Sequence, residues 1–498
     1  TYTDDQEIFS TPQGAAKPNG SDLLGLSHLA ELDLEGVERP RDSTGPHEPD
    51  KLVIGVQSGR CNELIGLIHG SGAKLVNTIS MNGKTAAVVA EISSEVISSF
   101  VADVYAKGLS RYIEPNVKIQ LDFTPSDQYW MLQWALPKIK ADYAWNATVG
   151  NRDLLLAVVD TGIDYDHPDL AASYAALGYD WVNDDPDPID DHGHGTHCAG
   201  IIAAELNNDI GIAGLAQVRI MAEKAFNRFG EGWEDDLANA IVHAVGQGAK
   251  IISNSWGSPV ESALIHEAIS YAYSCGVVII GAAGNDGSRF KQYPAAYEEV
   301  VAVSATNEVD SPTGFTNFGG WIEVAAPGLN ILSTFPDDSY SYMSGTSMSA
   351  PHAAGVAALI WSRFPWMTCD EVRAHLRYTA DDLGDLGFDI HYGYGRVNAR
   401  RAIVQDPPQN DLLMWDWQKP SYIRPGERAL INSTVFNYGV SNESNVLVQL
   451  QVGGNIVDSN QIDFLQSGAR SMVQFSWPTT VEGVYNITFS PQAFCKEE

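Results

Sequence analysis

Basic residues are scarce in this chain: 30 Lys and Arg stand against 63 Asp and Glu, a net charge of −33 over 498 residues. So negative a surface excludes nucleic acid and an anionic membrane face as partners. It fits an exported protein or one from a saline habitat. Long apolar runs are also missing; none reaches the roughly 20 residues that span a bilayer. No signal peptide is recognisable at the N-terminus. The five cysteines, Cys61, Cys198, Cys275, Cys369 and Cys495, are scattered and odd in number. They predict free, mostly buried thiols rather than a disulfide framework. The sequons at Asn146, Asn432, Asn442 and Asn486 are too common a tripeptide to inform. Apolar residues, at 44%, are plentiful enough for a substantial core, and the length fits two to four domains.

Residues 1–48 are rich in Gly, Pro, Ser and Asp without a sustained period, and read as a mobile leader. From Lys51 the order changes. "KLVIGV" reads as a strand, "CNELIGLIHG" as a helix, and "AKLVNTIS" and "TAAVVAE" as a hairpin around Asn82-Gly83. Val96, Ile97, Phe100, Val101, Val104 and Tyr105 recur at helical spacing, and "SRYIEP" closes the unit. The order βαββαβ is ferredoxin-like, an α+β unit over residues 49–121. Between 122 and 406, "LLLAVV", "VRIMAEKA", "KIISNS", "GVVIIGAA" and "VVAVSA" read as buried parallel strands. Amphipathic segments lie between them, one with Leu237, Ala240, Ile241, Ala244 and Val245 on a single face. The expected fold is α/β, a doubly wound, mostly parallel sheet with its ligands beyond the carboxyl ends of the strands. After the linker "QDPPQN", residues 407–498 alternate in short strands with turn signals, which predicts a small all-β sandwich.

Three stretches of the α/β part share one logic. Asp160 ends the strand "LLLAVVD", His194 stands in "DHGHGTHCAG", and Ser347 stands at the mouth of the nearly uncharged helix "SMSAPHAAGVAALI". A serine hydroxyl needs a base to take its proton, and a buried carboxylate can fix that base's tautomer. The positive end of the helix dipole favours a serine there. Pro351 is expected in the first helical turn, where its missing N–H would cost nothing. Asn285, in the Gly-rich turn of "GAAGNDG", can offer its amide to a developing oxyanion, with the Ser347 N–H as second donor.

"VVDTGIDYDHPDL", "HGTHCAG", "AAGNDG" and "SGTSMSAPHAAG" resemble, in order, the Asp, His, Asn and Ser motifs of the subtilisin-like serine proteases, and Cys198 matches the family's thermitase and proteinase K groups. The order Asp, His, Ser is a known mark of that family. The resemblance runs from about Thr124 to about Ala402, and "GRVNARRA" resembles the family's closing helix. It implies a secreted, monomeric serine endopeptidase that cuts proteins through an acyl-enzyme, with Asp160 orienting, His194 as base and acid, Ser347 as nucleophile, Asn285 as oxyanion donor and His197 structural. It implies cleft walls at Ser255, Trp256 and Gly257 and at Ala282, Ala283 and Gly284, holding substrate as an added strand. Trp256 stands where the family usually has leucine, which bears on specificity rather than on the reaction; broad cleavage after apolar or aromatic side chains is expected. The resemblance also implies Ca²⁺, held by Asp127, Asp169, Asn208 and the carbonyls of Leu206, Ile210 and Ile212. Asp180, Asp185 and Asp187 are candidates for a second ion, against the plainer reading of a solvated acidic loop. The ferredoxin-like unit resembles the family's propeptides, which chaperone folding and then inhibit. The segment "NVKIQLDFTPSD" would thread the cleft, with cleavage near Leu121 to Thr124. The sandwich resembles adhesion-type modules.

Two other readings compete. His192, His194 and His197 have spacing reminiscent of a zinc hydrolase, which needs further ligands elsewhere. A non-catalytic adhesion protein on a protease scaffold would not need intact Asp160, His194, Ser347 and Asn285. An α/β-hydrolase is excluded, because Gly345 to Ser349 reads GTSMS rather than G-x-S-x-G and the serine comes last.

Overall fold

The computed structural model describes residues 47–93, 96–117, 123–418, 426–453, 455–478 and 487–492. The leader up to 46, residues 118–122 of the cleft-threading segment and Cys495 lie outside the described residues. The chain divides into two compact units, Thr1–Leu121 and Asp122–Glu498.

The first unit runs β1 (His47–Val56), α1 (Cys61–Gly70), β2 (Lys74–Met81), β3 (Lys84–Glu91), α2 (Ile97–Ala106) and β4 (Ser110–Val117). Its antiparallel sheet has the order β2-β3-β1-β4, so the first and last strands pair despite their separation. Ile54, Val88, Ala90, Leu64, Ile68, Phe100 and Val104 close its core between sheet and helices. Asn82 and Gly83 both take positive φ, as the hairpin between β2 and β3 requires.

The second unit opens with two short helices, α3 (Ala135–Lys138) and α4 (Ala141–Ala144). It continues through β5 (Leu155–Asp160), β6 (Tyr179–Asp180), α5 (His194–Ala203), β7 (Arg219–Lys224), α6 (Glu234–Gly246), β8 (Ile251–Asn254), α7 (Ala263–Ser274), β9 (Val278–Ala282), β10 (Val300–Thr306) and β11 (Val324–Pro327). These strands form one parallel sheet in the order β11-β10-β9-β8-β5-β7-β6. All five runs read as buried strands lie in it, and every residue of β5, β8, β9 and β10 is buried. Apolar side chains alternate between two cores, one shared with α5 and α8 (Thr346–Arg363), the other with α6 and α7. The antiparallel hairpin β12 (Ile331–Phe335) and β13 (Ser339–Met343) leads into α8. α9 (Cys369–Tyr378) and α10 (Ala399–Val404) follow.

Two three-stranded antiparallel sheets complete the chain. One joins β14 (Leu412–Gln418), β15 (Arg428–Asn437) and β18 (Arg470–Pro478); the other joins β16 (Glu443–Val452), β17 (Asn455–Leu465) and β19 (Ile487–Gln492). Val435, Val446, Val448, Leu450 and Phe475 fill the space between them. This sandwich is seated on α9. Phe436 and Tyr438 pack on Ala374, the Tyr438 hydroxyl bonds to His375 Nδ1, and Arg470 pairs with Asp370 at 2.6 Å.

Candidate active site

Asp160 is the last residue of β5, where a parallel sheet presents its carboxyl end. Its side chain is buried, and Oδ1 accepts the Thr161 N–H at 2.8 Å and the His194 Nδ1–H at 2.7 Å. His194 opens α5 and remains one-fifth exposed. Burial pulls its imidazole down, but the charge and hydrogen bond of Asp160 outweigh that and hold it above the ordinary histidine value. The approach is close: a Cβ at Gly195 would lie 2.1 Å from the Gly162 carbonyl oxygen, so no side chain fits there.

The other histidines do different work. His197 is fully buried, and its Nε2–H is shared between the carbonyls of Ile331 and Ser341 in the β12–β13 hairpin, at 3.1 and 3.0 Å. Burial pushes it down to about 4, so it is a neutral strut. His192 is exposed, its ring 6.4 Å from that of His194. The three histidines do not converge. Among the described residues, Asp160, His194 and Cys198 form the one group of three His, Cys, Asp or Glu ligand atoms lying within 4.8 Å of each other. Burial holds the Cys198 thiol far above its usual value, so it flanks the dyad as a neutral group.

Ser347 is the second residue of α8. Its Oγ–H donates to the Ser255 carbonyl at 2.9 Å, and the Ser255 Oγ–H returns the bond to the Ser347 carbonyl, also at 2.9 Å. That second bond corrects the expectation for Pro351. Helix α8 begins at Thr346, so Pro351 lies in the second turn, where an ordinary residue would donate its N–H to the Ser347 carbonyl. The proline leaves that carbonyl free of the helix, and Ser255 Oγ–H and the Cys198 S–H, at 3.4 Å, take it instead. Ser347 is thereby tied at once to the residue after β8 and to α5.

Asn285 follows Gly284, whose φ of 103° and crowding by Asn317 and Gln292 explain the glycine. Its Oδ1 accepts the Thr346 N–H at 2.8 Å and the Thr346 Oγ1–H at 3.0 Å. With the oxygen fixed, the amide nitrogen points away from those donors and has no acceptor among the described residues. The Ser347 N–H, in the first helical turn, has no intrahelical partner either. Two donors are therefore available beside the Ser347 hydroxyl. Of the residues expected to wall a cleft, Ser255, Ala282 and Ala283 are buried, while Trp256 is half-buried against Phe226 with ring centroids 6.0 Å apart.

The acidic candidates fall into two groups. Asp127 and Asp169 are both buried and both bond to the loop 205–212. Asp127 accepts the Asn207 N–H at 3.0 and 2.9 Å, and Asp169 accepts Asn208 Nδ2–H and the Ile212 N–H, each at 2.8 Å. Burial raises both carboxyl groups. Asp180 and Asp185 pair through two backbone bonds, at 2.9 and 3.1 Å, while the carboxylates of Asp180, Asp185 and Asp187 have separate partners. Asp180 takes the Asn183 N–H at 2.9 Å, Asp185 takes the Asp187 N–H at 2.9 Å, and Asp187 takes the Tyr165 hydroxyl at 2.5 Å.

Sequence reasoning passed over two buried residues of the site. Asn317 holds the loop around Asn285, accepting the Asp286 N–H at 2.9 Å and donating to the Phe290 carbonyl at 3.1 Å. Nothing local marks it. Asp190 lies four residues before His194 and caps the start of α5, a signal that a carboxylate ahead of a helix does give.

Comparison with known proteins agrees with this geometry. A model of the subtilase family matches residues 151–395, and a model described as CARDB matches residues 409–492. A thermophilic serine proteinase of Bacillus sp. (strain AK1) is 43% identical over 298 residues, 59% of this chain and 73% of that protein. Thermitase of Thermoactinomyces vulgaris is 41% identical over 283 residues, 56% of this chain and 99% of the relative. The halolysin-like extracellular serine protease Nep of Natrialba magadii is 38% identical over 393 residues, 76% of this chain and 72% of the relative.

Proposed function

Because the chain belongs to the subtilase family of serine endopeptidases, we propose that Asp160, His194 and Ser347 are its catalytic triad, with Asn285 and the Ser347 N–H as the oxyanion donors. The observation that carries this is the 2.7 Å bond from His194 to the buried Asp160, within a site that also holds Ser347 at a helix N-terminus. In the resting arrangement the Ser347 hydroxyl donates to Ser255. Attack requires it to turn to His194 Nε2, which takes the proton as Oγ bonds to the carbonyl carbon of the scissile peptide. The carbonyl oxygen gains the negative charge and meets Asn285 Nδ2–H and the Ser347 N–H. The intermediate collapses to an acyl-enzyme, the imidazolium gives its proton to the leaving amine, and water reverses the sequence.

Substrate lies as an added strand between 255–257 and 282–284, and the small residues there favour broad specificity with an apolar or aromatic side chain before the cut. Trp256, backed by Phe226, narrows that preference. Ca²⁺ suits Asp127, Asp169 and Asn208 with the carbonyls of Leu206, Ile210 and Ile212. Two buried carboxylates bonded to one loop, with no Lys or Arg among their hydrogen-bond partners in the described residues, are supplied with counter-charge by such an ion. Its contribution is to stability, not to a step of the reaction. Asp180, Asp185 and Asp187 are the weaker candidates for a second ion, since their carboxylates serve local turns and Tyr165.

The enzyme is made as a zymogen and secreted. Residues 49–121 are the inhibitor and folding chaperone, 122–406 the catalytic domain and 407–498 an attachment module. The self-contained βαββαβ unit, the extracellular relative and the CARDB match support these assignments. Ser347→Ala tests the whole reading. The folded variant should hydrolyse no peptide and should stay one uncleaved chain by intact mass. Maturation near Leu121 to Thr124 with no other protease present would refute the role of Ser347.

A further inference from the structure

Asp190 is 6% exposed, and no step above uses it. Its Oδ1 accepts the Thr161 hydroxyl at 2.8 Å and the N–H groups of His192 and Gly193, both at 2.9 Å. Its Oδ2 accepts the N–H and the hydroxyl of Thr196 at 2.9 and 2.6 Å. Thr161 Oγ1 in turn accepts the Gly195 N–H at 2.9 Å. One buried carboxylate thus joins the residue after Asp160 to the residues on both sides of His194. It also lies at the N-terminus of α5, where the helix dipole favours an anion.

The charge bears on the imidazole too. Asp160 faces His194 from β5, and Asp190 adds to its effect in holding the imidazole up, against the pull of burial. His192 stands beside it at the rim, and His197 and Cys198 belong to its own helix. The Lys224 ammonium, from β7, is taken up by the Thr161 carbonyl at 2.8 Å and by Asp191 at 2.5 Å.

We propose that Asp190 is a positioning residue of the hydrolytic reaction, setting the spacing of the Asp160 strand end and the His194 helix start and placing a second negative charge beside the imidazole. This rests on the triad reading of Asp160, His194 and Ser347. An angström of misplacement at such a site costs on the order of 100-fold in rate.

The test is the rate of inactivation by an organophosphate as a function of pH, on the mature enzyme and three variants, with folding checked by circular dichroism. Asp190→Asn keeps the shape and removes the charge. Its amide nitrogen cannot accept the Thr196 bonds, so the plateau should fall in part, while the acid limb should move to lower pH. Asp190→Ala should lose about 100-fold of the plateau. Thr161→Val cuts the bridge but keeps the charge, so its plateau should fall while the acid limb stays where it is. An acid limb unmoved in folded Asp190→Asn overturns the electrostatic half, and a full plateau in Thr161→Val overturns the positioning half. If Asp190→Ala fails to fold, those two variants decide. Labelling of a Ser347→Ala enzyme by the same reagent would instead sink the triad reading, an outcome distinct from all of these.

Discussion

Replacing Pro351 by alanine separates what this proline does for the fold from what it does for the nucleophile. Alanine restores an N–H to the second turn of α8 and is better than proline in a helix interior by about 3 kcal/mol. Against that, two buried ring carbons are lost, about 0.8 kcal/mol each. The restored N–H also competes for the Ser347 carbonyl, so the bond from Ser255 Oγ is lost, at about 1 kcal/mol. These terms nearly cancel, and stability should change by less than about 1 kcal/mol. Activity has no such compensation. Once the Ser347 carbonyl is drawn into the helix, its bonds from Ser255 Oγ and Cys198 Sγ are lost and only the bond from the Ser347 hydroxyl to the Ser255 carbonyl is left, so kcat/KM should fall by roughly 100-fold. Urea unfolding of the organophosphate-blocked enzyme gives the stability without autolysis, and a chromogenic peptide gives kcat/KM. A variant that keeps full kcat/KM, whatever its stability, would refute the account of Pro351 as the residue that frees this carbonyl.

Asn285→Ala removes one oxyanion donor and should lower kcat by about 10²- to 10³-fold with little change in KM; an unchanged kcat would place the donor elsewhere. EGTA should lower the melting temperature of the blocked enzyme, since an ion bound only by the folded chain stabilises it by mass action; equal melting temperatures with and without chelator would count against the Asp127–Asp169 site. Below about pH 6.5 stability should fall towards pH 4, because burial pushes His197, His352 and His375 each down to about 4 while the unfolded chain protonates them near 6.5. His194 and His243 are held above the ordinary value, so their contribution changes only above that window. Urea midpoints at pH 8, 6 and 5 measure the slope, and a flat profile would be inconsistent with neutral buried histidines. Tyr438→Phe strips His375 Nδ1 of its donor and should destabilise the chain by about 1–3 kcal/mol in the same assay.

The parallel strands were legible because a strand covered on both faces must be apolar throughout, as β5, β8, β9 and β10 are. Asp160, His194, Asn285 and Ser347 were legible because each sits in a short motif at an element's end. What escaped is tertiary. The hairpin β12–β13 carries polar and half-exposed residues in "SYSYM", so no alternation announces it, yet its carbonyls seat His197. The exchange of bonds between Ser255 and Ser347 spans 92 positions and leaves no local pattern. Pro351 misled because the sequence does not mark where α8 starts: Gly345, not Ser347, is its N-cap, and that moves the proline into the second turn. In the acidic run 180–191 the sequence left an ion site and a plain acidic loop both open, because turn and cap bonds such as those of Asp180, Asp185 and Asp190 leave no mark that separates the two.

The seating of the sandwich on α9 has a mechanical consequence. Arg470 grips Asp370 and His375 meets Tyr438 on the outward side of that helix, while Arg373 and Arg377 clamp the buried Glu323 from the same helix at 2.6 and 2.7 Å. Glu323 immediately precedes β11, an edge of the central sheet. Load applied to the sandwich therefore passes through one helix into the sheet that carries Asp160, with no slack joint in between. Were the sandwich the attachment module proposed above, whatever it held would be coupled to the catalytic sheet through α9 and Glu323.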